Sequence, residues 1–264
     1  MKILFNNEDI TRFVERPDSK SVVKSITPTD VIYIGTDFPF NHFYLKMGTA
    51  SNTVSAVMKV EYYGNGWNEV VQLTDETNSL SSSGFVKFTP NKNSAWNLVS
   101  DSQEIGITNI NYNKYWTRIT FDQELSSDIE ISYIGNKFSD DEDLFSEFPV
   151  FNDSNFMKAF QLGKTDWEEQ TIRASDIIIE ELIKKKVIVS GNQILDISRF
   201  RSASISKTAE IIFSSFGNDY IEQKDAARKE YLSRLDMSSF SVDSNNNAIL
   251  EPVEIVSRVG WLSR

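Results

Sequence analysis

The side chains that could do chemistry are few. The chain of 264 residues has no Cys and one His, His42. Thiol nucleophiles, thiolate metal sites and disulfides are excluded together, and so is any metal site with two His ligands. A Ser-His-Asp triad would have to be built on His42. Carboxylates are abundant, with 38 Asp and Glu, so residue type alone leaves room for a carboxylate-pair glycoside hydrolase. No acidic pair sits at strand ends beside a recognisable aromatic cleft. We therefore expect no catalytic site and no cofactor.

Some clusters have a spacing that bears on binding. Asp243, Asn245, Asn247 and Glu254 fall at positions one, three, five and twelve of a calcium loop. Position six is Ala248 rather than Gly, and Pro252 stands where an exiting helix would begin. Asn and Asp are themselves turn formers, so a turn is expected here and calcium is the competing reading. Asp140-Asp141-Glu142-Asp143 could hold a divalent cation, but such a run reads first as a solvated linker. Lys184-Lys185-Lys186 reads as a solvated helix end, where cations favour the C-terminal dipole. Trp67, Trp96 and Trp116 could stack on sugar faces; their strand context favours a place in a β core.

The elements that would position these residues differ between the two halves. Residues 22–134 are dense in short alternating segments: 31–35, 42–46, 55–63, 67–73, 85–88, 115–121 and 128–134. Gly64-Asn65-Gly66 supplies a tight turn, 74–84 a polar loop, and Pro90 a stop. Such a series predicts an antiparallel sandwich over 1–135. An acidic junction follows over 136–164. From 165 onward the period changes to helical. One helix is predicted from Thr165, capped by Thr165 or Asp166, to Val187. A second runs from Phe200 to Phe216, ended by Gly217, and a third from Tyr220 to Leu235, making an αα-hairpin. Segments 240–242 and 255–258 read as a terminal β-hairpin or extended arm. The expected class is α+β: an N-terminal antiparallel β-sandwich, then a C-terminal helical bundle (165–264) with that arm.

The net charge is -11, and it is uneven: 12 basic against 21 acidic residues in 1–150, and 15 against 17 in 151–264. An acidic surface repels a phosphate backbone, so specific nucleic-acid binding is not expected. Ile3-Leu4-Phe5 is too short for a secretory core, and no run approaches the roughly 18 apolar residues of a membrane span. Synthesis in the cytoplasm and no membrane partner are the expectations.

Residues 62–121 carry Tyr62, Trp67, Val70, Leu73, Asp75, Thr77, Leu80, Ser83-Gly84, Val86, Phe88, Pro90, Trp96, Tyr115-Trp116 and Arg118. This pattern resembles a β-sandwich domain that recurs in virion proteins of tailed bacteriophages. The helical hairpin with Ala227-Arg228-Lys229-Glu230-Tyr231, Leu235-Asp236 and the 243–247 turn is similar to head-to-tail adaptor proteins. That likeness implies a structural neck protein of the virion, made in the host cytoplasm. It implies a subunit of a homo-oligomeric ring, dodecameric by analogy, that joins portal to tail beside passing DNA. The alternative is a tail or baseplate protein whose sandwich binds host surface glycan.

Overall fold

The computed structural model describes residues 1–17, 20–107, 112–238, 240–243, 245–249, 251 and 255–256. The chain divides into two compact units. One is Met1–Gly135 together with Asp243–Glu251; the other is Asn136–Val242 with the described part of Pro252–Arg264. The architecture is α+β, as expected.

The first unit runs β1 (Lys2–Phe5), β2 (Glu8–Asp9), the single-turn helix α1 (Thr11–Val14), β3 (Val22–Lys24), β4 (Ile32–Thr36), β5 (His42–Met47), β6 (Met58–Gly64), β7 (Gly66–Glu69), β8 (Gln72–Asp75), β9 (Gly84–Thr89), β10 (Tyr115–Phe121) and β11 (Ile129–Gly135). Two antiparallel sheets result, ordered β2-β1-β4-β10-β6-β7 and β3-β11-β5-β9-β8. Alternation sorts their faces. Ile3 pairs Ile34, Ile34 pairs Thr117, and Thr117 pairs Tyr62; all four are at 0% exposure. An aromatic chain then links the sheets: Tyr62 lies 4.9 Å from Trp96, Trp96 5.8 Å from Phe40, and Phe40 5.6 Å from Phe88 of the second sheet. These spacings suit tilted and edge contacts between rings.

Residues 67–73 are not one strand. β7 belongs to the first sheet and β8 to the second. Val70 N donates to Val60 O at 3.3 Å, and the next residue, Val71, donates to Thr89 O at 2.8 Å. Neither Gly nor Pro marks that switch. The loop after it starts later than expected, since Thr74 and Asp75 end β8. It turns through Asn78, Ser79 and Leu80 at φ of 49, 56 and 66°. Asp75 holds that left-handed turn by accepting from Thr77 N at 2.9 Å and Ser79 N at 2.7 Å.

The second unit contains α2 (Asp141–Glu147), α3 (Ser154–Phe160), α4 (Glu168–Lys184), α5 (Arg201–Ser214), α6 (Ile221–Met237) and the antiparallel pair β12 (Phe240–Ser241) and β13 (Ile255–Val256). Residues 136–164 are not a linker. The acidic run starts α2: Asp140 accepts from Asp143 N at 2.8 Å, and Asp143 accepts from Asp140 N at 3.2 Å, a closed capping box. Carboxylates in a first turn also favour the helix dipole. Behind them Phe151, Phe156 and Met157 are buried with Trp167, Ile212 and Phe213. The cap of α4 falls on Trp167, one residue past the expected pair. Asp166 accepts from Glu168 N at 3.1 Å, and Asp141 of α2 accepts from Trp167 N at 2.9 Å. The predicted hairpin forms from α5 and α6, joined at Gly217 with φ 66°.

Candidate docking surfaces and buried polar sites

The outer face of the first sheet carries an aromatic and ionic group. Leu4 pairs Tyr33, Tyr33 pairs Arg118, and Arg118 pairs Glu61, so one face holds all four. Tyr63 pairs Trp67 on the same side, with rings 5.3 Å apart. Arg118 sets its guanidinium 4.6 Å over the Trp67 ring and donates from Nε to Glu61 at 2.6 Å. Lys59 stands 3.6 Å from Glu61 and 3.6 Å from Glu69. Burial opposes ionisation of Glu61, but the hydrogen bond and charge of Arg118, helped by Lys59, outweigh it and hold the carboxyl below its ordinary range.

Each tryptophan of this unit is now placed. Trp96 lies in the aromatic chain between the sheets. Trp116 is fully buried, but on the outer face, packed with Tyr33, Val99, Ile105 and Ile107. Trp67 is half-buried at the edge of that cluster. The expectation of one common core therefore holds for Trp96 alone. Sugar stacking needs a bare ring face, and Arg118 occupies one face of Trp67. His42 is buried on β5, with Nδ1 2.8 Å from the side-chain oxygen of Asn41, an amide rather than a carboxylate.

The calcium-loop residues build a turn. Asp243, 1% exposed, accepts from Asn247 N at 3.1 Å and Ala248 N at 2.8 Å. Asn245 Oδ1 accepts from Asn247 N at 3.2 Å, and the Asn245 and Asn247 amides each donate to Glu251 at 3.3 Å. Asn246 and Ala248 take φ of 59 and 56°. Glu254 lies outside the described residues. Among the described residues, no three His, Cys, Asp or Glu are arranged to hold a metal.

The lysine run is dispersed. Lys184 lies 3.9 Å from Glu180 and Lys185 3.2 Å from Asp236. Lys186 turns left-handed at φ 59°, while Val187 N donates to Leu182 O and Lys186 N to Ile183 O, both at 2.9 Å. This double bond pattern is a Schellman helix end.

Sequence reasoning missed a buried charge cluster. Lys137 has a side chain 2% exposed, and its Nζ lies 3.5 Å from Glu168 Oε1. Asp141 Oδ2 accepts from Trp167 N, and its Oδ1 is buried without a hydrogen-bond partner. Burial pushes the Lys137 amine down, against the pull of Glu168, Asp141 and Asp140. Burial likewise pushes the Asp141 carboxyl up, against the Trp167 hydrogen bond and Lys137. The one sequence signal was a Lys directly before an apolar residue, Phe138.

α6 forms an outer layer of the helical unit. Its buried residues are Ala227, Tyr231 and Leu235. Burial, reinforced by Glu181, pushes the Tyr231 hydroxyl up, and Lys207 sits 4.8 Å over its ring. The rest of the helix is largely charged, with Ile221, Leu232 and Met237 exposed at 46, 47 and 63%. Arg234 ties it to Glu147 of α2.

Among the described residues, no helix is long and apolar enough to cross a membrane. No protein-family model matches the chain, and no curated protein matches it in sequence.

Proposed function

We propose that this chain is a structural subunit of a tailed-phage virion, an adaptor that forms a ring between portal and tail. The observation that carries the reading is α6. It is attached by a narrow seam of Ala227, Tyr231 and Leu235 and presents Leu232 and Met237 among charges. A mixed apolar and ionic face suits docking on a protein partner rather than burial in its own core. The terminal pair β12 and β13, the expected arm, also supports it. So does the resemblance carried by residues 62–121 and by the 227–247 segment. In this role the chain performs no catalysis and is localised in the virion. The ring would be heterologous, each copy offering two different faces to its neighbours.

Imaging of the protein mixed with a portal complex tests the reading. Ring density on the portal is expected, and Leu232→Glu with Met237→Glu should weaken it while leaving the helical content unchanged. Density at the distal tail and none on the portal would refute it.

A further inference from the structure

The Lys137 cluster is buried, and it brings three ionisable groups into a dry place. Lys137 Nζ faces the Glu168 carboxyl at 3.5 Å, with their side chains 2 and 15% exposed. The adjoining residues Phe138 and Trp167 are buried, at 3 and 0%. Asp141 stands in the same charge cluster, fixed through Oδ2 by the Trp167 N–H, with Oδ1 unpartnered. A single buried ion pair explains one carboxyl; it does not explain a second one with an idle oxygen. We propose that Lys137 and Glu168 become joined by an intramolecular isopeptide bond, with Asp141 as the proton-transfer group.

The step balances without an oxidant or co-reactant. The Lys137 nitrogen lone pair attacks Glu168 Cδ, forming the C–N bond. Asp141 gives a proton to the departing hydroxyl and takes one from the new ammonium. The C–O bond breaks and one water leaves. The step starts from neutral amine and protonated Glu168, which the ion pair reaches by passing one proton from Lys137 Nζ to the Glu168 carboxylate. Burial disfavours the charged forms of Lys137 and Asp141 and so favours this start, with Asp141 protonated. Amide formation is unfavourable between free groups in water. Groups held in contact can act at effective molarities of about 10⁵–10⁸ M. The product also replaces two poorly solvated charges with a neutral amide. The bond would tie the segment leaving β11 to the first turn of α4, 31 residues away.

This inference is independent of the ring assignment, and the full-length protein decides it. Its intact mass after incubation at neutral pH should be lower than the sequence mass by one water. Fragmentation of its digest should place the link between Lys137 and Glu168. Lys137→Arg should have its full sequence mass, and Asp141→Asn should form the bond more slowly. Should Lys137→Arg fail to fold, the wild-type mass and peptide map still decide. A wild-type protein at full sequence mass overturns the proposal. So does a water loss mapped elsewhere, including a link from Lys137 to Asp141.

Discussion

Replacing Arg118 with Ala removes one member of an ion pair whose other member is nearly dry. Glu61 is 7% exposed and relies on the 2.6 Å bond from Arg118. Removing one partner of a fully buried pair costs about 3–5 kcal/mol. The Arg118 side chain is 29% exposed and Lys59 remains 3.6 Å from Glu61, so solvent and Lys59 absorb part of that. About 1.5–3 kcal/mol should remain. Losing the cation stacked on Trp67 adds about 0.5–1 kcal/mol. Urea titration at pH 7 should therefore show a loss of about 2–4 kcal/mol. Glu61→Gln placed on top of Arg118→Ala should recover much of it, because no stranded charge remains. The pH dependence has a fixed sign. The folded Glu61 carboxyl titrates below its ordinary value of 4.5. Its contribution is complete above that value and is lost as pH falls through the lower folded one. The gap between wild type and Arg118→Ala should narrow below pH 4.5. A gap equally wide at neutral and acid pH, or one under about 1 kcal/mol at pH 7, would show that Glu61 is not held by Arg118.

Other perturbations have equally definite outcomes. Lys186→Gly relieves a left-handed residue at the end of α4 and should stabilise the protein by about 0.5–1 kcal/mol in urea, a left-handed L-residue costing more than the added chain entropy of Gly. A destabilised variant would mean that the Lys186 side chain contributes more than its strain costs. Phe213→Ala empties a position packed 4.9 Å from Phe151 and beside Phe156 and Tyr220; calorimetry should register a loss of about 3–5 kcal/mol. Asp140→Ala removes the cap of α2 and should cost about 1 kcal/mol, with amide exchange quickened first at Asp143.

The fold class was legible in the sequence because period two and period 3.6 segregate cleanly along the chain. The strands at 42–47 and 115–121 and the hairpin of α5 and α6 follow from alternation and from Gly217. Other features were hidden for identifiable reasons. The passage from one sheet to the other lies between Val70 and Val71, two residues of one type, so no change of pattern marks it. The four carboxylates at 140–143 look solvated in sequence because a run of like charges hides the three-residue spacing of Asp140 and Asp143 that makes the capping box. Trp116 reads as core, and it is buried, but which side of a sheet a tryptophan occupies depends on register with strands far away. The Lys137 cluster draws on residues from 137 to 168, and a lone Lys between Asn136 and Phe138 does not announce a carboxyl 31 positions on. The 243–254 spacing was the opposite case: a visible pattern whose Asp243, Asn245 and Asn247 side chains hydrogen-bond within the turn itself.

The assignment of Asp243–Glu251 to the same unit as Met1–Gly135 has a consequence for the order of events on the ribosome. Synthesis runs from the N-terminus, and units form as they emerge. The strands of the first sheet are all made by Phe121, and those of the second by Gly135. The piece that completes their unit is made more than a hundred residues later, after α2 to α6. The helices can therefore collapse before residues 243–251 join the unit to which they belong. A chain stopped at 135 has every strand of both sheets but lacks residues 243–251 of the same unit, so a fragment of that whole unit carries both pieces.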